Sequence, residues 1–159
     1  MRVEKQDIAV SLTGGMGNQL FQIAACLYYS DGNGINVVTE LGRPRTTLLG
    51  VPSALQFNFN NQVHVLPSKA DSLFWIKSAG FILRRGILIK KHEKILGVGN
   101  VVELVLKFLL KLKFKRQIIR AVGVGDTVLD IKKSRNLLLG YFQTDNWLTD
   151  PYVLQTLQS

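Results

Sequence analysis

Short apolar runs and helix-like segments alternate over the first forty residues. Residues 8–12 (IAVSL) have strand character, and residues 18–30 (NQLFQIAACLYYS) predict a buried helix because they are apolar on nearly all sides. Asn18 is the expected cap of this helix, and glycines within residues 31–34 are expected to end it. Residues 35–39 predict a second strand. Strand, helix, strand is the unit of a parallel sheet, which indicates an α/β fold.

The remainder of the chain predicts loops, two long helices and one further strand. Residues 40–72 contain three of the four prolines, so we expect loops there and one short strand near residues 63–66. Residues 73–95 and 100–121 predict helices, and a break is expected at 123–126. Residues 136–143 (NLLLGYFQ) predict a buried strand. Asp150 followed by Pro151 predicts a helix start, because aspartate caps well and proline suits the first helical position.

Composition indicates a folded domain of ordinary size. The 159 residues suit one domain, and 47% hydrophobic residues against 19% charged can fill a core. Cys26 is the single cysteine, and no Cys/His ligand spacing is present. His64 and His92 belong to no partner pattern. A disulfide framework and a structural zinc site are therefore poorly supported.

The net charge of +9 belongs to one segment. Residues 77–120 hold twelve Lys/Arg and two Glu, whereas the rest of the chain is close to neutral. Within this segment Glu103, Lys107, Lys111 and Lys115 recur every four residues and predict a basic helix face. Either this face is simply solvated or it meets an anionic partner, such as lipid headgroups or a phosphorylated substrate. A nucleic-acid role has less support, because aromatic residues are not interleaved with the cations at 84–107.

No targeting or membrane-spanning signal is visible. The N-terminus mixes charges of both signs, and the most apolar stretch, residues 101–114, is interrupted by Glu103 and three lysines. We therefore expect a cytoplasmic protein, with peripheral contact of the basic helix at the inner membrane as an alternative.

A glycine-rich turn is the sharpest chemical feature. Residues 14–19 (GGMGNQ) lie between a predicted strand and a helix, where backbone N–H groups suit a phosphate. The turn is no P-loop, because Lys-Ser/Thr is missing after the last glycine, and it is no dinucleotide fingerprint, because Leu20 replaces the third small residue. A tight turn that binds nothing is the alternative. The candidate phosphate contacts are Gly14, Gly15, Gly17, Asn18 and Gln19.

Two strings along the chain resemble a known family. Residues 14–22 (GGMGNQLFQ) are similar to the opening signature of the alpha-1,2-fucosyltransferases of glycosyltransferase family 11. Residues 140–143 (GYFQ), with Trp147-Leu148 after them, resemble a Gly-Tyr-aromatic-Gln element that these enzymes contain further along. Both the order and the approximate spacing agree.

The resemblance implies both a fold and an activity. The fold would be a GT-B-type glycosyltransferase with two Rossmann-like domains. The activity would be inverting transfer of fucose from GDP-fucose to a galactose hydroxyl of a glycan, without metal, as in the synthesis of bacterial surface polysaccharide such as O-antigen.

One family motif has no counterpart here. Family members continue into a His-x-Arg-Arg-Gly-Asp motif that helps to hold the nucleotide sugar, and the Arg-Arg-Gly of residues 84–86 lies too early and lacks the flanking residues. Residues 1–159 are therefore expected to form the acceptor-side, N-terminal Rossmann-like domain, without the donor-binding domain. The alternatives are an inactive fragment, one half of a split enzyme with a separate C-terminal half, or a basic membrane-binding domain without catalysis.

Both strings lie at the carboxyl ends of predicted strands. Because these ends share one edge of a parallel sheet, we expect the two strings to border one cleft. The glycine turn would then contact the donor diphosphate, and side chains of the second string would contact the sugar or acceptor. Core packing is the alternative role for Tyr141 and Trp147, and no general base is assigned between Asp145 and Asp150. The candidate cleft residues are Tyr141, Gln143, Asp145 and Trp147.

Overall fold

The computed structural model describes residues 7–39, 41–42, 44–66, 73–91, 98–121, 131, 135–142 and 146–158. Within them the strands form one five-stranded, all-parallel sheet. Its strands are β1 (Ile8–Ser11), β2 (Ile35–Val38), β3 (Val63–Val65), β4 (Gln117–Ala121) and β5 (Asn136–Gly140), and their order in space is β3-β2-β1-β5-β4. The α/β prediction is confirmed, and the parallel sheet is consistent with the Rossmann-like expectation.

Helices cover both faces of the sheet. The described helices are α1 (Met16–Ser30), α2 (Leu73–Lys91), α3 (Val98–Phe114) and α4 (Pro151–Leu157), with short 3₁₀ helices at Ser53–Gln56 and Asn146–Thr149. One face packs against α1 and α4, and the other against α2 and α3. None of the helices in the described ranges is long and apolar enough to cross a membrane.

The central strand β1 contributes to both cores. Ile8 and Val10 point into the core that contains α1, whereas Ala9 points into the core that contains α2 and α3. This alternation follows from the two-residue period of a strand. All four residues of β1 are buried, as expected for an inner strand covered on both faces.

Two sequence-based boundaries are wrong. The segment 100–121 is not one helix, because α3 ends at Phe114, Lys115 takes a left-handed φ of 51°, and β4 follows. Asn18 does not cap α1, because the helix already begins at Met16 with Gly15 in the extended cap position. A left-handed residue between α3 and β4 lets the chain reverse from helix to sheet edge.

Other predicted elements agree with the structure. The strand near residue 63 is present as β3, and α4 begins where Asp150-Pro151 predicted. The Asp150 carboxylate accepts a hydrogen bond from the backbone N–H of Val153 at 3.0 Å, which is the expected capping geometry. The predicted helix residues 92–95 and the predicted break at 123–126 lie outside the described residues.

Candidate functional site

The glycine-rich turn joins β1 to α1 in a conformation that requires glycine at its first position. Gly14 has φ +76°, and a Cβ there would approach the Asn18 amide nitrogen to 2.8 Å. Gly15 and Gly17 instead face open space, and Met16 is exposed. The first two residues of α1, Met16 and Gly17, are thus exposed, which is compatible with a phosphate at the helix start.

Gln19 fastens this turn to the segment that follows β2. Its Nε2 donates to the carbonyl oxygens of Gly14 and Arg45, each at 2.9 Å. Its Oε1 accepts from the backbone N–H of Ala54 at 3.0 Å. Because Gln19 is fully buried and its amide is engaged on both sides, its assignment as a direct phosphate contact is wrong. Gln19 positions the turn.

Gln22 links the turn to β5. Its Oε1 accepts from the backbone N–H of Thr13 at 2.9 Å, and its Nε2 donates to the carbonyl oxygen of Gly140 at 2.8 Å. Since Thr13 precedes the glycine turn and Gly140 begins the second string, one buried amide joins the two strings. The two strings therefore lie side by side at the carboxyl ends of β1 and β5, whereas the expectation that both border one ligand cleft stays a prediction.

A cavity of about 500 Å³ opens at this edge, between the ends of β1 and β5 and helix α2. The strand order changes direction at this point. On one side of β1 lie β2 and β3, and on its other side lie β5 and β4. Such a position is where open parallel sheets bind ligands. The polar residues and glycine that line it include Ser11, Thr13, Gly42, Lys77, Arg84 and Tyr141.

Two cations give the cavity its charge. Lys77 and Arg84 stand seven residues apart on α2, about two helical turns, so both lie on the same side of the helix. No carboxylate is among the described lining residues, so the cavity suits an anionic ligand. Sequence reasoning missed both residues. The seven-residue spacing of Lys77 and Arg84 is visible in the sequence. The sequence does not show, however, which side of α2 faces the edge of the sheet.

Gly42 lines the cavity and lies close to the backbone of Leu12. A Cβ at this position would overlap the carbonyl oxygen of Leu12, just beyond the end of β1. Glycine therefore lets the chain after β2 pass directly against β1. Ser11 and Thr13, on either side of Leu12, also line the cavity.

The predicted cleft residues have different outcomes. Tyr141 lines the cavity and is half-buried. Gln143 and Asp145 lie outside the described residues. The five candidate phosphate contacts, Gly14 to Gln19, do not line this cavity, and the turn adjoins it through Thr13.

Trp147 belongs to the core. Its side chain is 2% exposed, and its indole Nε1 donates to the carbonyl oxygen of Phe142 at 3.0 Å. The rings of Tyr28 and Tyr29 lie against it, with centroids 5.3 Å away. No face of the indole remains for a sugar to stack on, so the proposed sugar contact is wrong and the packing alternative holds.

The lysines of α3 do not form the single solvent-facing stripe that their spacing predicted. Lys107 Nζ lies 2.7 Å from the Glu103 carboxylate, which also pairs with Arg120 on β4. Glu103 is only 6% exposed, so this side of α3 faces the sheet. Lys111 and Lys115 are exposed. The four-residue spacing is present, but Glu103 faces the sheet and Lys107 is paired with it, so only Lys111 and Lys115 remain as exposed cations of this row.

Opposing effects set the pKa of Glu103. Burial would raise this pKa, but the hydrogen bond and charge of Lys107, together with Arg120, outweigh burial and lower it below its usual value. Glu103 is therefore a carboxylate at neutral pH. The thiol of Cys26 is fully buried, which raises its pKa and keeps it protonated.

No group of three or more His, Cys, Asp or Glu suitable for a metal ion occurs in the part of the chain that the structure describes. Comparisons of the chain with protein-family models, with curated proteins and with solved structures found no match. Membership of the fucosyltransferase family therefore stays a prediction based on residues 14–22 and 140–143.

Proposed function

We propose that the chain is the acceptor-side, N-terminal domain of a GT-B-type glycosyltransferase that transfers fucose from GDP-fucose to a galactose hydroxyl. The observation that supports this most directly is the Gln22 amide, which joins the two family-like strings beside a cationic cavity. The two strings follow the adjacent parallel strands β1 and β5, so both lie at the edge of the sheet where open α/β folds bind ligands.

In this proposal the cations act on the leaving group. Breaking the bond from fucose to GDP leaves negative charge on the diphosphate, and fixed positive groups nearby lower the energy of that step. Lys77 and Arg84 are the described cations at the cavity, and the turn that leads into α1 adjoins the cavity through Thr13. Their combined field favours a diphosphate over a neutral sugar.

Tyr141 is the residue proposed to orient the acceptor. Its phenol both donates and accepts hydrogen bonds, and its position after β5 places it on the cavity wall. A hydrogen bond between the Tyr141 hydroxyl and a galactose hydroxyl would hold the acceptor ring in place. The acceptor hydroxyl of galactose would then attack the anomeric carbon of fucose. No described residue is assigned as the general base.

Calorimetric titration of the chain with GDP-fucose, GDP and GMP tests the proposal. We expect GDP-fucose and GDP to bind and GMP to bind at least tenfold more weakly, because the second phosphate is the group that the cations recognise. Asn18→Ala adds a test of the glycine turn, since weaker GDP binding in this variant would place the diphosphate at the start of α1.

A matched pair of charge removals tests the cavity. Arg84→Gln should weaken GDP binding about tenfold, whereas Lys111→Gln removes the same charge from α3, outside the residues that line the cavity, and should leave it unchanged. Equal affinities for GDP and GMP, or equal losses in the two variants, would contradict the proposal. Transfer of labelled fucose to a β-galactoside then tests turnover.

A further inference from the structure

The outer face of α3 is apolar. Five of its side chains, which fall on one side of the helix, are each between 49% and 69% exposed. They are Val101, Leu104, Val105, Phe108 and Leu112, here called the α3 apolar stripe. Single exposed apolar residues are ordinary, but a contiguous row along a helix marks an interaction surface.

The rotation of α3 about its own axis is fixed by its inner face. Leu110 is fully buried against the sheet, and Glu103 is held in its ion cluster with Arg120 and Lys107. Turning the apolar stripe inward would expose Leu110 and would break these ion pairs. The stripe therefore faces outward because the other side of the helix is already occupied.

The exposed charges near the stripe are positive. Lys111 lies on α3 and Lys115 directly follows it, and both are exposed. Lys77 and Arg84 are exposed on the neighbouring helix α2. In the described ranges 73–91 and 98–121, Glu103 is the only acidic residue, and it is buried and paired.

The combination of the α3 apolar stripe with nearby positive charges indicates which kind of partner covers this surface. A second copy of the chain would bring like charges together around the stripe, which opposes self-association. An anionic lipid surface instead offers acyl chains for the apolar residues and phosphates for the cations. A neutral apolar protein surface would leave the cations without counter-charge.

We propose that α3 lies in the interface of an anionic bilayer, with the α3 apolar stripe among the acyl chains and Lys111 and Lys115 at the headgroups. The helix is parallel to the membrane plane, so it anchors the protein without crossing the bilayer. Because α2 packs beside α3 and lines the cavity, docking keeps the cavity within one helix layer of the lipid surface. This inference does not depend on the proposed transferase activity.

Flotation with vesicles tests the docking surface. The whole chain is mixed with vesicles of 3:1 phosphatidylcholine and phosphatidylglycerol, or of phosphatidylcholine alone, at low and high salt. We expect binding to the anionic vesicles that weakens with salt, and at least tenfold weaker binding to the neutral ones. Absence of binding to the anionic vesicles would overturn the proposal.

Two double variants separate the stripe from general hydrophobicity. Phe108→Ser with Leu112→Ser should lower binding at least tenfold, because two inserted side chains are lost. Leu48→Ser with Leu49→Ser removes exposed apolar side chains from the turn before Gly50 and should leave binding unchanged. Equal losses in the two pairs would refute the role of the stripe.

Charge and folding are tested alongside. Lys111→Gln should weaken binding to anionic vesicles about fivefold and leave binding to neutral ones unaffected. All variants should keep the wild-type unfolding midpoint, since every changed side chain is exposed. Sedimentation of the free chain is the last control: a dimer abolished by Phe108→Ser with Leu112→Ser would show that a second copy covers the stripe, and would overturn the lipid proposal.

Discussion

Replacing Gln22 by methionine tests the connection between β1 and β5. Methionine is close to glutamine in length and volume, so Gln22→Met leaves the packing of α1 nearly intact. It removes both hydrogen bonds of the amide, to the Thr13 N–H and to the Gly140 carbonyl. Gln56→Met is the matched control, because the Gln56 amide is exposed and bonds only to the neighbouring Ser53 carbonyl in the bonds described.

The size of the effect follows from what is left unpaired. Gln22 is fully buried, so Thr13 and Gly140 each lose a partner where water has little access. An unsatisfied buried backbone group costs about 1–3 kcal/mol. Thr13 is partly exposed, which lowers its share, and the expected loss in unfolding free energy is about 2–4 kcal/mol. The control should change by less than about 0.5 kcal/mol.

Urea unfolding measures this difference. With a denaturant slope of about 2 kcal/mol per molar, the midpoint of Gln22→Met should fall by about 1–2 M. Amide exchange at Thr13 should accelerate more than exchange in the middle of α1, since the Thr13 N–H loses its acceptor. A midpoint for Gln22→Met equal to that of Gln56→Met would refute the reasoning.

Three further substitutions test other contacts. Glu103→Gln should lower the unfolding free energy by about 3 kcal/mol at pH 7, because Arg120 and Lys107 lose their counter-charge. The pKa of Glu103 is lower in the folded than in the unfolded state, so its contribution is complete above about pH 5 and vanishes as pH falls through the folded-state pKa; denaturation measured from pH 7 to 3 should show the two proteins converging. Gly140→Ala should cost about 1–3 kcal/mol, because φ is 153° there, and a midpoint equal to that of wild type in thermal unfolding would contradict this. Trp147→Phe leaves the Phe142 carbonyl without its donor and should lower Tm by several degrees, measured by calorimetry.

The sequence pattern correctly predicted the strands and helices that are determined by residues close together in the chain. The alternation in β1, the apolar length of α1 and the cap at Asp150 each arise from neighbouring residues. Strand β4 was missed because its residues continue the apolar and cationic spacing of α3 without a visible break. Pairing with β5, which follows later in the chain, decides that this segment is a strand.

The site was predicted in position but not in detail. Gln19 was assigned as a phosphate contact because it belongs to the glycine turn, and Gln22 was given no role of its own. Their partners, such as the Ala54 N–H and the Gly140 carbonyl, lie far along the chain. Lys107 was placed with Lys111 and Lys115 on an outward basic face, solvated or in contact with an anionic surface, since nothing near it in sequence reveals Arg120 on β4. Long-range contacts give these side chains their roles.

The order of the strands also governs the order in which the protein can be completed during synthesis. β2 emerges soon after β1 and can pair with it at once, but the other edge of β1 must wait for β5, where Ile8 pairs with Asn136. β4 is made before β5 yet ends outside it, so it has no partner until β5 arrives. A nascent chain therefore displays unpaired strand edges until β5 is translated, and such edges favour misassembly. Binding by a chaperone should be strongest over this interval, and it should end once β5 has closed the gap.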